Sequence, residues 1–173
     1  MDHSGPIPNS YWVVPGQLLA GPRPTGPDRA ASRAAVRALI DVGIGTVIDL
    51  RTAAEPPGIR SLLTKLSPEG EEVSWISAPI QDGDAPSESL LTLVLDLIDG
   101  SIARGRPVYV HCEGGLGRTG TIVGAYLIRH GLVEVDTVAQ RLSDLRRGQP
   151  NASRPSPETP RQYRLLGAWS KRR

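Results

Sequence analysis

Cysteine and aromatic residues are scarce in this 173-residue sequence, which has one Cys, three Trp, four Tyr and no Phe. A single cysteine excludes a disulfide within the chain, and three scattered His argue against a zinc cluster. We therefore expect neither a metal nor another cofactor. The core must be built mainly from Leu, Val, Ile and Ala.

Long apolar runs are also absent. No stretch of about 18 apolar residues occurs, and the first residues lack a basic segment followed by an apolar one. Apolar residues make up 39% and charged residues 22% of the chain, a composition typical of folded soluble proteins. We expect a cytoplasmic monomer that does not associate with membranes and folds as a single domain.

The net charge of +2 hides an uneven distribution. Residues 141–173 contain nine Lys or Arg but only two acids, Asp144 and Glu158. Such a segment can bind nucleic acid, but it can also be a solvated helix face or attract phosphorylated substrates. Because no nucleic-acid-binding motif or interleaved aromatic residues accompany the charge, we expect no nucleic-acid partner.

Short apolar segments typical of strands alternate with amphipathic segments typical of helices. The predicted strands are 13–14, 18–20, 46–51, 73–80 and 107–111. The predicted helices are 28–42, 59–66, 87–103, 118–130 and 136–147, with a last one starting at 156–159. This alternation predicts a single α/β domain, with a central, mainly parallel sheet and helices on both faces.

Local signals refine these boundaries. Ser87 and Asp136 are predicted N-caps, Gly43 is a predicted helix stop, and Pro157 is a predicted first-turn proline. Residues 1–10 are predicted to form an N-terminal tail, and residues 11–173 the folded domain.

A glycine-rich segment, His111-Cys-Glu-Gly-Gly-Leu-Gly-Arg-Thr-Gly120, joins a predicted strand to a predicted helix. Glycines let successive backbone N–H groups converge, and the helix start adds donors and partial positive charge, so the segment suits a phosphate dianion. These dipoles would favour the thiolate of Cys112 as a nucleophile. Arg118, six positions later, can bind two phosphate oxygens through its planar guanidinium.

This segment resembles the signature of the protein tyrosine and dual-specificity phosphatases: His-Cys, five residues, then Arg followed by Ser or Thr. The resemblance implies phosphomonoester hydrolysis through a phosphocysteine intermediate, with Cys112 as the nucleophile. It also implies that Thr119 supports the thiolate as it leaves in the second step. The phosphate would be bound by Arg118 and by the loop amides of Glu113, Gly114, Gly115, Leu116, Gly117 and Arg118.

Upstream, Ala78-Pro-Ile-Gln-Asp-Gly-Asp-Ala-Pro86 is similar to the acid loop of compact dual-specificity phosphatases of the kinase-associated type. Asp82 lies 30 residues before Cys112, an interval typical of the family. The resemblance implies that Asp82 protonates the leaving oxygen and then activates water. Asp84 is the alternative acid, although it is equally suited to capping a turn.

Gln162 resembles the glutamine that positions hydrolytic water in some tyrosine phosphatases, so we assign it an auxiliary role. It could equally be a surface residue on the last helix.

Substrate preference follows from loop positions 113–117, which hold one acid and no Lys or Arg. Relatives that act on polyphosphorylated inositols often carry basic residues there. The sequence therefore favours a phosphorylated protein over a phosphoinositide as substrate. Phosphotyrosine is the expected phosphate ester, and phosphoserine and phosphothreonine stay open as substrates because pocket depth, which the loops determine, decides among them.

Two other functions fit the same loop. Gly115-Leu-Gly-Arg-Thr-Gly120 satisfies the G-x-G-x-x-G pattern of dinucleotide-binding domains, but only 37 residues follow Asp136, too few for the further strand–helix units of that fold. A Walker A site is excluded because the loop has no Lys. A catalytically weak phosphate-binding module is the other alternative, although Cys112, Arg118 and an acid are all present.

Four nearby polar residues receive structural interpretations. His111 is expected to be buried and bonded to the loop backbone. Asp49 and Arg51 are expected to fix a strand end, and Glu55 to help start the next segment.

Overall fold

A five-stranded sheet runs through the centre of the computed structural model, which describes residues 3–56, 59–70 and 72–170. In chain order the strands are β1 (Tyr11–Val14), β2 (Leu18–Gly21), β3 (Thr46–Asp49), β4 (Ser74–Ser77) and β5 (Val108–His111). Their order in the sheet is β1-β2-β5-β3-β4. Only β1 and β2 are antiparallel, and the other neighbours are parallel. The predicted mainly parallel sheet is confirmed.

Helices cover both faces of this sheet, as predicted. They are α1 (Arg29–Asp41), α2 (Arg60–Leu66), α3 (Glu88–Ala103), α4 (Gly117–Arg129), α5 (Val138–Leu145) and α6 (Pro160–Ser170). Helices α1 and α2 pack on one face, and α3 to α6 pack on the other around the larger core. Within the described ranges, no helix is both long and apolar enough to cross a bilayer.

Apolar side chains of a strand point alternately to the two faces of the sheet, so both faces need a covering layer of helices. In β5, Val108 and Val110 join the larger core while Tyr109 joins the core under α1 and α2. The predicted cap at Ser87 is confirmed, since its hydroxyl accepts a hydrogen bond from the amide of Leu90. Helix α1 has a cap of the same kind at Asp28, which accepts a hydrogen bond from the amide of Ala31 at 2.8 Å.

Two predicted helix starts are wrong. Asp136 lies inside a 3₁₀ turn, Val135–Thr137, and α5 begins only at Val138. The amide and hydroxyl of Thr137 both donate to the carbonyl of Glu134, each at 3.1 Å, which tightens the chain before the helix.

At the last helix, the first-turn proline is Pro160 rather than Pro157. The amides of Glu158 and Thr159 bond to the side chain of Gln162, so this segment precedes the helix instead of forming its first turn. Strand β4 is also shorter than the predicted 73–80.

Residues 3–10, predicted as part of an N-terminal tail, pack against the domain. Ile7 is buried in the core under α1 and α2, and Ser10 is fully buried. Asn9 exchanges hydrogen bonds with Gln149 and Asn151 from the other end of the chain.

The loop between β5 and α4 passes directly over the end of β2. Gly115 has φ +72°, and a Cβ atom there would lie 2.5 Å from the carbonyl carbon of Gly21 and 2.6 Å from the nitrogen of Pro22. Both contacts are to backbone atoms, which cannot rotate aside. Only glycine therefore fits at this position.

We predict that Gly115→Ala lowers the free energy of unfolding by more than about 2 kcal/mol, because it combines left-handed strain with a backbone clash. Urea unfolding measures the change. Gly114→Ala is the matched control, since its Cβ would meet nothing within 4 Å, and it should change stability by less than about 1 kcal/mol. Equal effects of the two variants would contradict the packing described here.

Candidate active site

The glycine-rich segment from His111 to Gly120 lies at the carboxyl ends of the parallel strands, where ligands usually bind in such sheets. Cys112 follows β5 directly and is 3% exposed. The amide of Gly115 donates to its Sγ at 3.3 Å, so the loop curls back over the sulfur. The start of α4 at Gly117 aims its free amides at the same region.

Arg118 is fully buried beside this loop and is held by two other segments, one after β3 and one after β4. Its two terminal nitrogens bind both carboxylate oxygens of Glu55, at 2.7 and 2.8 Å. Nη1 also donates to the carbonyl of Ile80 at 3.2 Å, and Nη2 lies 3.0 Å from Oδ1 of Asp82. Within the described part of the chain, Nε has no hydrogen-bond partner.

Glu55 is the residue that sequence reasoning missed. Besides binding Arg118, it accepts a hydrogen bond from the amide of Thr52 at 2.8 Å, so its expected role in starting a segment is only part of its role. The guanidinium of Arg118 lowers the pKa of Glu55 to about 2. The position of Glu55 shortly after β3 could have predicted its contact with Arg118, because the carboxyl ends of neighbouring parallel strands meet at one sheet edge.

The two candidate acids, Asp82 and Asp84, have different partners in the structure. Asp82 is exposed and contacts Arg118. Asp84 instead accepts a hydrogen bond from the amide of Ala85 at 2.8 Å and pairs with Arg161 at 3.1 Å. Only Asp82 of these two therefore contacts the guanidinium.

Gln162 is completely buried, so its alternative interpretation as a surface residue is wrong. Its side chain packs on Gly117 of the loop, where an added Cβ would lie 3.0 Å from Nε2. Thr119 is also fully buried, and its hydroxyl donates to the carbonyl of Gly21 at 3.5 Å. That bond is long, so the hydroxyl is weakly held.

The structural interpretations of His111, Asp49 and Arg51 are confirmed. Nδ1 of His111 donates to the carbonyl of Cys112 at 3.1 Å, and burial lowers the pKa of this histidine to about 4, so it is neutral near pH 7. Arg51 binds both carboxylate oxygens of Asp49, at 3.0 and 2.8 Å. It also pairs with Glu113 of the loop, as does Arg23.

The dinucleotide-binding alternative is wrong, because within the described ranges no strand follows β5. The further strand–helix units that such a domain needs are therefore not there. Among the described residues, no three or more His, Cys, Asp or Glu side chains form a group able to hold a metal ion.

Comparison with known sequences gives a consistent result. The family model Tc-R-P, described as "Polymorphic toxin system, DSP-PTPase phosphatase", matches residues 25–132. Dual specificity protein phosphatase CDC14B of Mus musculus is 39% identical over 74 residues, covering 41% of this chain and 13% of that protein. Phosphatidylglycerophosphate phosphatase PTPMT2 of Arabidopsis thaliana is 31% identical over 106 residues, covering 61% of this chain and 44% of that protein. The chain thus spans less than half the length of these relatives.

Solved structures show the same fold over nearly the whole chain. The active form of Tk-PTP has a TM-score of 0.75 and 23% identity, covering 96% of this chain and 99% of that one. A kinase associated phosphatase whose catalytic cysteine is replaced by serine has a TM-score of 0.71 and 18% identity, covering 98% and 96%. With the family match spanning more than half of its residues, the chain belongs to the DSP-PTPase phosphatases of polymorphic toxin systems and is a cysteine-based enzyme of the dual-specificity and tyrosine phosphatase type.

Proposed function

We propose that this phosphatase hydrolyses phosphomonoesters on proteins, with phosphotyrosine preferred, and that Cys112 forms a phosphocysteine intermediate. The observation that carries the proposal is the juxtaposition of three groups at one sheet edge. Cys112 lies under a curled loop, Arg118 follows in the same loop, and Asp82 contacts the Arg118 guanidinium at 3.0 Å.

In the first step the thiolate of Cys112 attacks phosphorus and the ester oxygen leaves. Loop amides from Glu113 to Arg118 and the unpartnered Nε of Arg118 stabilise the equatorial oxygens. Because Glu55 already holds both terminal nitrogens, the guanidinium is pre-oriented and its Nε–H edge is the part left for an oxyanion.

Asp82 donates a proton to the departing oxygen in the first step. In the second step its carboxylate takes a proton from the attacking water, and the thiolate of Cys112 leaves phosphorus. The weakly held hydroxyl of Thr119 supports that thiolate. Phosphate and the dephosphorylated alcohol are the products, so atoms and charge balance without a cofactor.

A lipid phosphomonoester is the second candidate substrate, favoured by the partial likeness to a phosphatidylglycerophosphate phosphatase. Against it, loop positions 113–117 hold one acid, Glu113, and no Lys or Arg that could bind a further phosphate of a lipid headgroup. Initial rates on a panel of phosphotyrosine, phosphoserine and phosphothreonine peptides and phosphatidylglycerophosphate vesicles separate the two substrate classes.

We predict that hydrolysis of p-nitrophenyl phosphate persists in EDTA and is inhibited by vanadate, which occupies an oxyanion site. Absorbance of released p-nitrophenolate measures both effects. Loss of activity in EDTA, followed by recovery on addition of a divalent metal, would contradict the cysteine mechanism.

Cys112→Ser is expected to fold and bind phosphate but to show no turnover, because a serine hydroxyl is far less ionised near pH 7 than a thiol. Activity is measured with p-nitrophenyl phosphate, and binding by the rise in melting temperature with inorganic phosphate. Appreciable turnover by this variant would identify a different nucleophile.

Asp82→Asn should slow hydrolysis of phosphopeptides and phenyl phosphate by about 100- to 10,000-fold, because these leaving groups need a proton. For p-nitrophenyl phosphate, kcat/KM should be nearly unchanged, because p-nitrophenolate leaves without needing a proton. Asp84→Asn is the matched control and should change turnover by less than about tenfold. The reverse pattern would assign the acid to Asp84.

A further inference from the structure

The loop that carries Asp82 is fixed at both ends. Before the turn, the amide of Ile80 donates to the carbonyl of Leu50 at 2.9 Å, tying the loop to the end of β3. The turn itself closes through the amide of Asp84, which donates to the carbonyl of Gln81 at 3.0 Å. A constraint on Asp84 therefore also limits where Asp82 can lie.

The second anchor of this loop comes from α6. Nε2 of Gln162 donates to the carbonyl of Asp84 at 3.0 Å, across 78 residues of sequence. Arg161, the preceding residue, pairs with the Asp84 carboxylate at 3.1 Å. That ion pair is exposed, so it contributes less than the hydrogen bond from the buried amide.

Gln162 itself is rigidly placed. Its Oε1 accepts hydrogen bonds from the amides of Glu158 and Thr159, at 2.9 and 3.1 Å, and the residue is completely buried. The same side chain packs on Gly117 of the phosphate loop. One amide group therefore connects the start of α6, the phosphate loop and the acid loop.

We propose that Gln162 is a positioning residue that holds the acid loop closed over the phosphate site and so keeps Asp82 within reach of the leaving oxygen. This inference rests on the assignment of Asp82 as the general acid. Asp82 needs such support because its own side chain is 74% exposed and is not fixed by packing. The proposal differs from a water-positioning role, since it acts on the first chemical step.

The test compares leaving groups. Gln162→Glu keeps the acceptor for Glu158 and Thr159 but replaces the donor facing the Asp84 carbonyl with an oxygen. We expect kcat/KM for phenyl phosphate to fall about 10- to 100-fold, and kcat/KM for p-nitrophenyl phosphate to fall less than about threefold. This quantity reports the steps up to departure of the leaving group, whereas hydrolysis of the phosphocysteine is common to both substrates. The added charge acts equally on both dianionic substrates, so it cancels in the ratio of the two rates.

Asp82→Asn is measured in the same series. If it shows no dependence on the leaving group, the assignment of the general acid fails, and with it the premise of this proposal. If it shows that dependence while Gln162→Glu slows both substrates equally or neither, the acid stands and the positioning role of Gln162 is overturned. The double variant should show no larger dependence on the leaving group than Asp82→Asn alone.

Arg164→Ala on the exposed side of α6 is the matched control and should leave both rates unchanged. Melting temperatures confirm that each variant is folded. If Gln162→Glu does not fold, Gln162→Asn decides, because its neutral amide is one methylene too short to bond to Asp84 and to the start of α6 together. A uniform loss with this variant would likewise overturn the proposal.

Discussion

The guanidinium of Arg118 has to be matched by acceptors, because a buried charge without partners is strongly unfavourable. Its partners come from separate parts of the chain: Glu55 after β3, and Ile80 and Asp82 after β4. The phosphate loop, the segment after β3 and the acid loop thus meet around one side chain. The low pKa of Glu55, about 2, keeps this carboxylate ionised near neutral pH.

Two further arginines, Arg23 and Arg51, control the charge at the mouth of the loop. Glu113 follows the cysteine directly and would repel a phosphate dianion if it were unpaired. Arg23 and Arg51 lie 3.3 and 3.4 Å from its two carboxylate oxygens and offset that repulsion. Arg51 is in turn fixed by Asp49 at the end of β3, so the strand sets both the geometry and the electrostatics of the loop.

The sequence predicted what is encoded locally. Cys112 and Arg118 lie in one contiguous segment, and their setting between a strand and a helix follows from hydrophobic pattern and glycine spacing. The structural role of Glu55 at Arg118 depends on contact across 63 residues, which only the placement of β3 beside β5 creates. The prediction of Asp136 as a helix cap is wrong because the amide and hydroxyl of Thr137 both donate to the carbonyl of Glu134. These two hydrogen bonds form a 3₁₀ turn in place of the first helical turn, and residue types alone do not reveal that choice. The burial of Gln162 likewise depends on how α6 packs on α4.

The single buried thiol limits how this chain can respond to oxidants. A sulfenic acid formed at Cys112 would have no second cysteine within these 173 residues with which to form a disulfide. Among these residues, its protection against further, irreversible oxidation can come only from a backbone amide, and a thiol that reacts with it has to lie outside them. The packing that leaves Cys112 only 3% exposed therefore also acts as its first barrier to oxidative inactivation.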